Sequence, residues 1–317
     1  MLKGSRTLPI VRGRIRFADL SDYIAGLAEF WDCEHDQLTA PASPWWCRYV
    51  TDGQAVLYEE QYGIKLFIQG SPAGDFFVFG IPCRPELGGR WIGEDLPHHG
   101  LGYTRSRTEL EMLFQPGGRT LCAMVPTAPF REAYTTLSGL PPERTFPAGH
   151  RFKQYSADRW RDLRDAWRQI LRRADAMTDL VTELAASLVN FGDPQDLVRE
   201  RYPVRARAVF RRALDACADA GDSFRPATLA RSIGVSLRSL ETAFRQCSDL
   251  PPARFLRLQR MNAVHLALVA ADPARSRVTD LATNHGFTEL GRFAVEYRQL
   301  FGERPSETLR RAARKRF

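Results

Sequence analysis

Between residues 54 and 126 the chain runs in short apolar or alternating stretches: QAVLYEE, IKLFIQ, DFFVFGIP, ELEMLF and TLCAMVP. They are cut by Tyr62-Gly63, Ser71-Pro72-Ala73-Gly74, Gly88-Gly89 and Pro116-Gly117-Gly118. Short runs rich in aromatic and β-branched residues, punctuated this way, predict an antiparallel sheet, sandwich or barrel. From Asp158 the period changes. DRWRDLRDAWRQILRRA sets Trp160, Leu163, Trp167, Ile170 and Leu171 on one helical stripe, with Arg and Asp on the other faces. MTDLVTELAASLVNFG predicts a second helix ending at Gly192 before Pro194, and VRARAVFRRALDACADAG a third closed by Gly221.

Further on, one unit occurs twice. In LARSIGVSLRSLETAFRQ, residues 229–246, Leu229, Ala230 and Ile233 line a short helix that stops at Gly234, the residue suited to a left-handed turn. Val235 then packs inward, and Ser236 caps a helix whose inner positions are Leu240, Ala243 and Phe244. This is the grammar of a helix-turn-helix, in which the early outward residues of the second helix meet base edges. LATNHGFTELGRFAVEYRQ, from Leu281, repeats the frame at an offset of 52 up to the glycine and 53 after it. Leu240, Phe244, Arg245, Gln246 and Pro252 thereby match Phe293, Tyr297, Arg298, Gln299 and Pro305. Between the copies, Pro252 to Ala271 reads as one helix about 30 Å long at 1.5 Å per residue. Major-groove entries on one face of DNA recur every 34 to 36 Å, so such a spacer fits two reading helices to successive grooves.

The charge distribution agrees. Residues 221–317 hold 17 Lys+Arg against 9 Asp+Glu, while residues 1–220 hold 28 of each, so the whole net charge of +8 sits in the last third. A basic module on a neutral one points to a polyanion partner for the module alone. With 317 residues, 44% hydrophobic and 26% charged, the chain reads as two globular domains. It has neither a signal-peptide core nor the roughly 20 apolar residues of a membrane span, so the expectation is a cytoplasmic protein with no membrane partner. Cys33, Cys47, Cys83, Cys122, Cys217 and Cys247 lie far apart, and among the six histidines only His98 and His99 are adjacent. Reduced thiols, no metal and no cofactor are expected.

Residues 203–313 resemble the DNA-binding domain of the AraC/XylS family of bacterial transcription regulators, most clearly in GFTELGRFAVEYRQLFGERPSETLRR with its Gly-Phe, spaced aromatics, Phe-Gly, Pro-Ser and closing Arg. The resemblance implies seven helices, with two helix-turn-helix units reading adjacent major grooves of double-stranded DNA. It also implies contact with RNA polymerase, and activation more than repression. Carried across, the first unit's candidates are Ser236, Arg238, Ser239, Glu241, Thr242 and Arg245. Those of the second are Thr288, Leu290, Gly291, Arg292, Val295 and Arg298. Leu290, Gly291 and Val295 offer no hydrogen bonds to bases. The first unit is therefore expected to read sequence, while Arg292 and Arg298 hold phosphates. Glu289 stands where the family has a small cap, leaving neighbouring Thr288 as the expected cap.

The expected fold class is α+β. A β-rich, barrel or cupin-like sensing or dimerisation domain spans residues 1–155, a helical linker with dimer helices 156–200, and an all-α domain with two helix-turn-helix motifs 201–317. The linker helices either pair with a second copy or cap the sheet, and the dimer is preferred because doubling the footprint raises affinity. Arg199, Arg201, Arg205, Arg207, Arg211 and Arg212 read as a solvated face or supplementary phosphate contacts, and the tail LRRAARKRF as non-specific affinity. Trp45, Trp46, Tyr49, Tyr58, Tyr62 and Trp91 line a small-molecule pocket or simply pack. The effector residues stay unassigned. No enzymatic activity is expected. The alternatives are a DNA-alkylation repair enzyme, which needs close cysteine pairs this chain lacks, and a regulator whose β domain only dimerises or binds a protein.

Overall fold

The computed structural model describes residues 10–91, 94–105, 108–147, 151–173, 179–191, 204–220 and 225–314. The described strands are β1 (Val11–Arg16), β2 (Trp31–Gln37), β3 (Trp46–Thr51), β4 (Val56–Gln61), β5 (Leu66–Pro72), β6 (Phe76–Pro82), β7 (Gly89–Trp91), β8 (Glu94–Asp95), β9 (Gly100–Arg105), β10 (Leu110–Phe114), β11 (Arg119–Pro126) and β12 (Arg151–Gln154). All pair antiparallel, in a seven-stranded sheet ordered β1-β3-β4-β11-β6-β9-β12 and a five-stranded sheet ordered β2-β5-β10-β7-β8. The helices are α1 (Leu20–Leu27), α2 (Thr127–Ser138), α3 (Pro142–Thr145), α4 (Ala157–Arg172), α5 (Leu180–Val189), α6 (Val204–Ala220), α7 (Pro226–Ser232), α8 (Leu237–Ser248), α9 (Pro252–Ala270), α10 (Val278–Asn284), α11 (Leu290–Phe301) and α12 (Pro305–Arg314).

The expected α+β architecture is present, and period-two alternation explains its layers. On β4, Val56 and Tyr58 face the five-stranded sheet while Leu57 faces outward. On β11, Cys122 and Met124 point between the sheets, and Leu121, Ala123 and Val125 point away. The outer face of the seven-stranded sheet is covered by α2, α4 and α5, whose Trp160, Leu163, Trp167 and Leu184 share a core with Phe77 and Phe79. The stripe predicted on α4 is therefore spent on the sheet within this chain. The described part of segment 156–200 is a layer of the first domain.

The five-stranded sheet is covered in turn by the helical domain. Leu38, Phe67 and Leu113 belong to the core built by α6 to α12. Phe67 meets the rings of Phe210 and Phe255 edge-on, at 5.6 and 5.2 Å. These strands are buried on both faces, which is why they read as nearly unbroken apolar runs. Strand β2, sequence WDCEHDQ, carries no such signal. Its last residue is held by the other domain: the Gln37 N–H donates to Asn262 Oδ1 at 3.0 Å, and Asn262 Nδ2 donates back to the Gln37 carbonyl at 3.0 Å. Gln37 Nε2 donates to the Leu300 carbonyl at 2.7 Å.

Candidate nucleic-acid interface

The first unit is α7, a turn and α8. Gly234 turns the chain with φ of 67°, and the Val235 N–H donates to the Ala230 carbonyl at 2.9 Å. Ser236 caps α8, its Oγ accepting from the Ser239 N–H at 3.1 Å. Leu240, Ala243 and Phe244 are buried against Phe210 and Phe255. That leaves Ser236, Arg238, Ser239, Glu241, Thr242 and Arg245 exposed. Among the described residues, the side chains of Arg238, Glu241, Thr242 and Arg245 have no polar partner, so their hydrogen-bonding groups are open to a ligand. A groove of about 630 Å³ runs beside Arg238 and Thr242, lined also by Arg205, Val235 and Gln246.

The second unit is α10, a turn and α11. Its turn repeats the first: Gly286 has φ of 77°, and the Phe287 N–H donates to the Ala282 carbonyl at 3.0 Å. The start of its reading helix differs. The N-cap is Glu289, which makes no capping bond, and Thr288 lies one residue too early to serve. The expected Thr288 cap is thus absent, because the extra residue in this turn displaces the hydroxyl from the N-cap position. Thr288, Gly291, Arg292, Val295 and Arg298 are exposed and Leu290 is half-buried. Val295, at 58% exposure, presents an apolar surface.

Arg292 is not free. It pairs with Glu296 at 2.8 Å and Glu289 at 3.8 Å, while Arg257 takes the other Glu296 oxygen at 2.6 Å. Burial raises the Glu296 carboxyl, but Arg257 and Arg292 together hold it below its usual value. Arg298 has no partner among the described residues. Between the units α9 spans 19 residues, about 28 Å at 1.5 Å per residue.

The basic cluster before this domain divides. Arg207 pairs with Glu111, and Arg211 with Glu109 and Glu111, on β10 and the loop before it. These two are ties between domains, which corrects the reading of a solvated or phosphate-facing run. Arg212 is bound to the Ile233 carbonyl, Arg205 stays exposed at the groove, and Arg199 and Arg201 lie outside the described residues. A further tie went unread in the sequence. Asp249, in the left-handed conformation with φ of 61°, takes Lys65 at 2.7 Å, Arg90, and Gln115 at 3.1 Å. The signal was available, since Asp249 matches Gly302 at the offset of 53.

Between the two sheets lies a cavity lined by Tyr23, Tyr58, Glu60, Tyr62, Trp91 and Phe114, among others. Of the expected aromatics, Tyr58, Tyr62 and Trp91 line it. Trp45 packs behind, with its indole 3.5 Å from Glu60 Oε1. Trp46 and Tyr49 lie elsewhere, Trp46 beneath the guanidinium groups of Arg14 and Arg119. Residues alternate on the five-stranded sheet: Ile68, Met112 and Phe114 face the cavity, while Phe67, Glu111 and Leu113 face the helical domain. One sheet thus separates the cavity from the DNA-binding domain.

Burial pushes Cys33, Cys83, Cys122 and Cys247 up to about 12 and Cys217 up to about 11, away from the reactive thiolate. Among the described residues no group of three His, Cys, Asp or Glu converges as for a metal.

Residues 229–311 match a family described as "Helix-turn-helix domain". The probable thc operon regulatory protein of Rhodococcus erythropolis is 46% identical over 84 residues, 26% of this chain and 25% of that protein. The XylDLEGF operon transcriptional activator 1 of Pseudomonas putida is 38% identical over 77 residues, 24% of this chain and 23% of that protein. The match spans about a quarter of the length of these curated relatives. A solved structure of a probable AraC family transcriptional regulator from Rhodopseudomonas palustris is 32% identical, covering 33% of this chain and 97% of that one, with a TM-score of 0.30.

Proposed function

We propose, from a C-terminal third that is an AraC/XylS-type double helix-turn-helix domain, that the chain is a sequence-specific DNA-binding regulator of transcription and not an enzyme. The observation that carries this reading is the pair of units at α7–α8 and α10–α11, each turned on a left-handed glycine and presenting the start of its second helix to solvent. Arg238, Ser239, Glu241 and Thr242 read bases, with Ser236 and Arg245 at the flanking backbone. Arg298 and Arg205 hold phosphates. Val295 and Leu290 lie against thymine methyl groups, Thr288 and Gly291 allow close approach of the backbone, and Arg292 reaches DNA only by leaving Glu296.

Activation of transcription is the sign suggested by relatives named as activators, and contact with RNA polymerase would carry it. A small-molecule effector acts from the cavity of the β domain, because only one sheet separates it from the residues that hold the helical domain. Its work is a shift between arrangements of the two domains. A homodimer would enlarge the footprint, and its contact must come from surfaces other than the α4 stripe. No described helix is long and apolar enough to cross a membrane, in keeping with a cytoplasmic site of action.

The test is selection of bound DNA from a random pool with the full-length chain, followed by footprinting. Protection of two adjacent major grooves on one face, about 34 to 36 Å apart, is expected. Protection of a single groove, or no sequence preference, refutes the two-unit reading.

A further inference from the structure

Glu60 stands out among the groups that DNA binding leaves unused. It lies on β4 in the inward register of Val56 and Tyr58, and is 1% exposed. Trp45, Tyr23 and Tyr62 hydrogen-bond to it. Its neighbour Glu59, facing the other way, is paired with Arg48 and Arg168. Glu60 has no such pair: the cavity lining contains neither Lys nor Arg, and His35 in that lining is kept neutral by burial, which lowers it to about 4. A carboxylate buried without an opposite charge is costly, and here burial pushes the Glu60 carboxyl up to about 8. The rings of Tyr23, Tyr58, Tyr62, Trp91 and Phe114 surround the same space. Ring faces attract cations, most strongly when water is excluded.

We propose that this cavity binds the ammonium head of a small organic amine, with Glu60 as its counter-ion and the tyrosine and tryptophan rings as its cage. The proposal rests on the reading of the β domain as an effector domain and names the ligand class. The missing charge in the lining is the ligand's own: the raised carboxyl holds its proton in the empty cavity at neutral pH and releases it to solvent as an ammonium group enters, whereas an anion finds no cation there to pair with. About 30 Å³ is open, room for a head of roughly one water's size. A longer body needs Trp91 or Leu96, both in the lining, to turn aside.

Ethylammonium, ethanol and acetate form a nearly isosteric series with positive, zero and negative charge. Each is titrated into the full-length chain, read by tryptophan fluorescence and by thermal shift, since a ligand of the native state raises its melting temperature. Ethylammonium is expected to bind at least about tenfold more tightly than the other two, and Glu60→Gln, which keeps the size of the side chain and removes its charge, to lose that preference about tenfold. Equal binding of ethanol or acetate, undiminished ethylammonium binding by a folded Glu60→Gln variant, or no ethylammonium binding at all overturns the amine site. A parallel titration of the selected DNA separates the two readings. Amine binding that leaves DNA affinity unchanged upholds the amine site and removes effector control from this cavity. Absence of amine binding, with DNA affinity changed by a compound of another class, removes the amine site and leaves effector control standing.

Discussion

The two helix-turn-helix units share a frame and differ at each point where that frame meets something else. Both turn on a left-handed glycine and both bury an aromatic residue at the centre of the second helix, Phe244 in one and Tyr297 in the other. The first begins its reading helix with a serine cap and the second with an uncapped glutamate. The first ends it on Asp249, tied to the β domain, and the second on Gly302, tied to nothing through a side chain. The first offers unpartnered polar groups, whereas the second has its leading arginine drawn into a carboxylate network. A doubled fold thus keeps its core and differs at its surface: the first copy carries the open polar groups and the Asp249 tie, while the second meets the β domain through the Leu300 carbonyl, which accepts from Gln37.

The largest effects test the shared core. Phe244 has no exposure and packs 4.8 Å from the Phe210 ring, in the cluster that also receives Phe67 of the β domain. Phe244→Ala should cost about 3–5 kcal/mol. The melting temperature of the full chain, with DNA affinity alongside, measures it. Tyr297→Phe is the milder counterpart: the ring stays, but His265 at 2.6 Å and Thr308 at 2.9 Å lose a partner, a cost of about 1–3 kcal/mol. Equal losses would mean that the second centre depends on its hydrogen bonds as much as the first depends on ring packing.

Next comes the division of reading. Arg238→Ala should weaken binding by about 1–3 kcal/mol on the preferred DNA and relax selectivity at one position. Val295→Ala should change affinity by less than about 1 kcal/mol, the loss of two methyl groups at a thymine contact. Affinities on matched and single-substituted sites decide it, and a larger effect at Val295 would reverse the assignment.

Much of this comparison was legible in the sequence, and the part that was not has a physical reason. The repeat showed itself because helical period, a turn glycine and a 53-residue offset act within a short segment. The strands that became visible were those buried on both faces. Strand β2 escaped because Asp36 and Gln37 are buried polar residues whose partners lie more than two hundred positions away. For the same reason Arg207 and Arg211 looked like a surface run, since Glu109 and Glu111 enter only through the tertiary fold. Glu60 was readable in principle as a carboxylate on the inward register of QAVLYEE, but only the fold reveals that nothing neutralises it.

The Asp249 tie, which Gly302 cannot repeat, is tested at the ends of α8 and α11. Asp249→Gly retains a residue suited to the left-handed cap, as Gly302 is, while removing the ties to Lys65 and Arg90. Lys65 is left nearly buried and unpaired, and the expected loss is about 1–3 kcal/mol, seen in the melting temperature and in faster proteolysis between the domains. Burial raises the Asp249 carboxyl, but Lys65 and Arg90 outweigh it and hold the group below its usual value. A depressed carboxyl contributes stability that is present above its unfolded value, near pH 3.9, and is lost as pH falls through the folded value. The variant should therefore unfold with a shallower dependence on acid than the parent below about pH 4.

The caps give a smaller, reciprocal effect. Ser236→Ala should cost about 1 kcal/mol by leaving the Ser239 N–H without its oxygen. Glu289→Ser should bring the second unit a cap it lacks and stabilise it by about 0.5–1 kcal/mol. Thermal melts of both variants compare the two starts directly. A destabilising Glu289→Ser would show that the pairing of Glu289 with Arg292, 3.8 Å apart, matters more to α11 than the missing cap.

The smallest expected effect separates the two arginines of α11. Arg298 is exposed and has no partner among the described residues, so as a phosphate contact its removal should weaken binding to all DNA alike and lower the salt slope by about one unit. Arg292 already has Glu296 at 2.8 Å, and any phosphate it meets must compete with that carboxylate. Arg292→Ala should therefore change the slope by less than Arg298→Ala does. Glu296→Gln, which loosens Arg292 while leaving it in place, should raise the slope instead. Affinity measured across a salt series for the three variants orders them, and an unchanged slope in Arg298→Ala would leave the second unit without its backbone anchor and return that role to the arginines around the first.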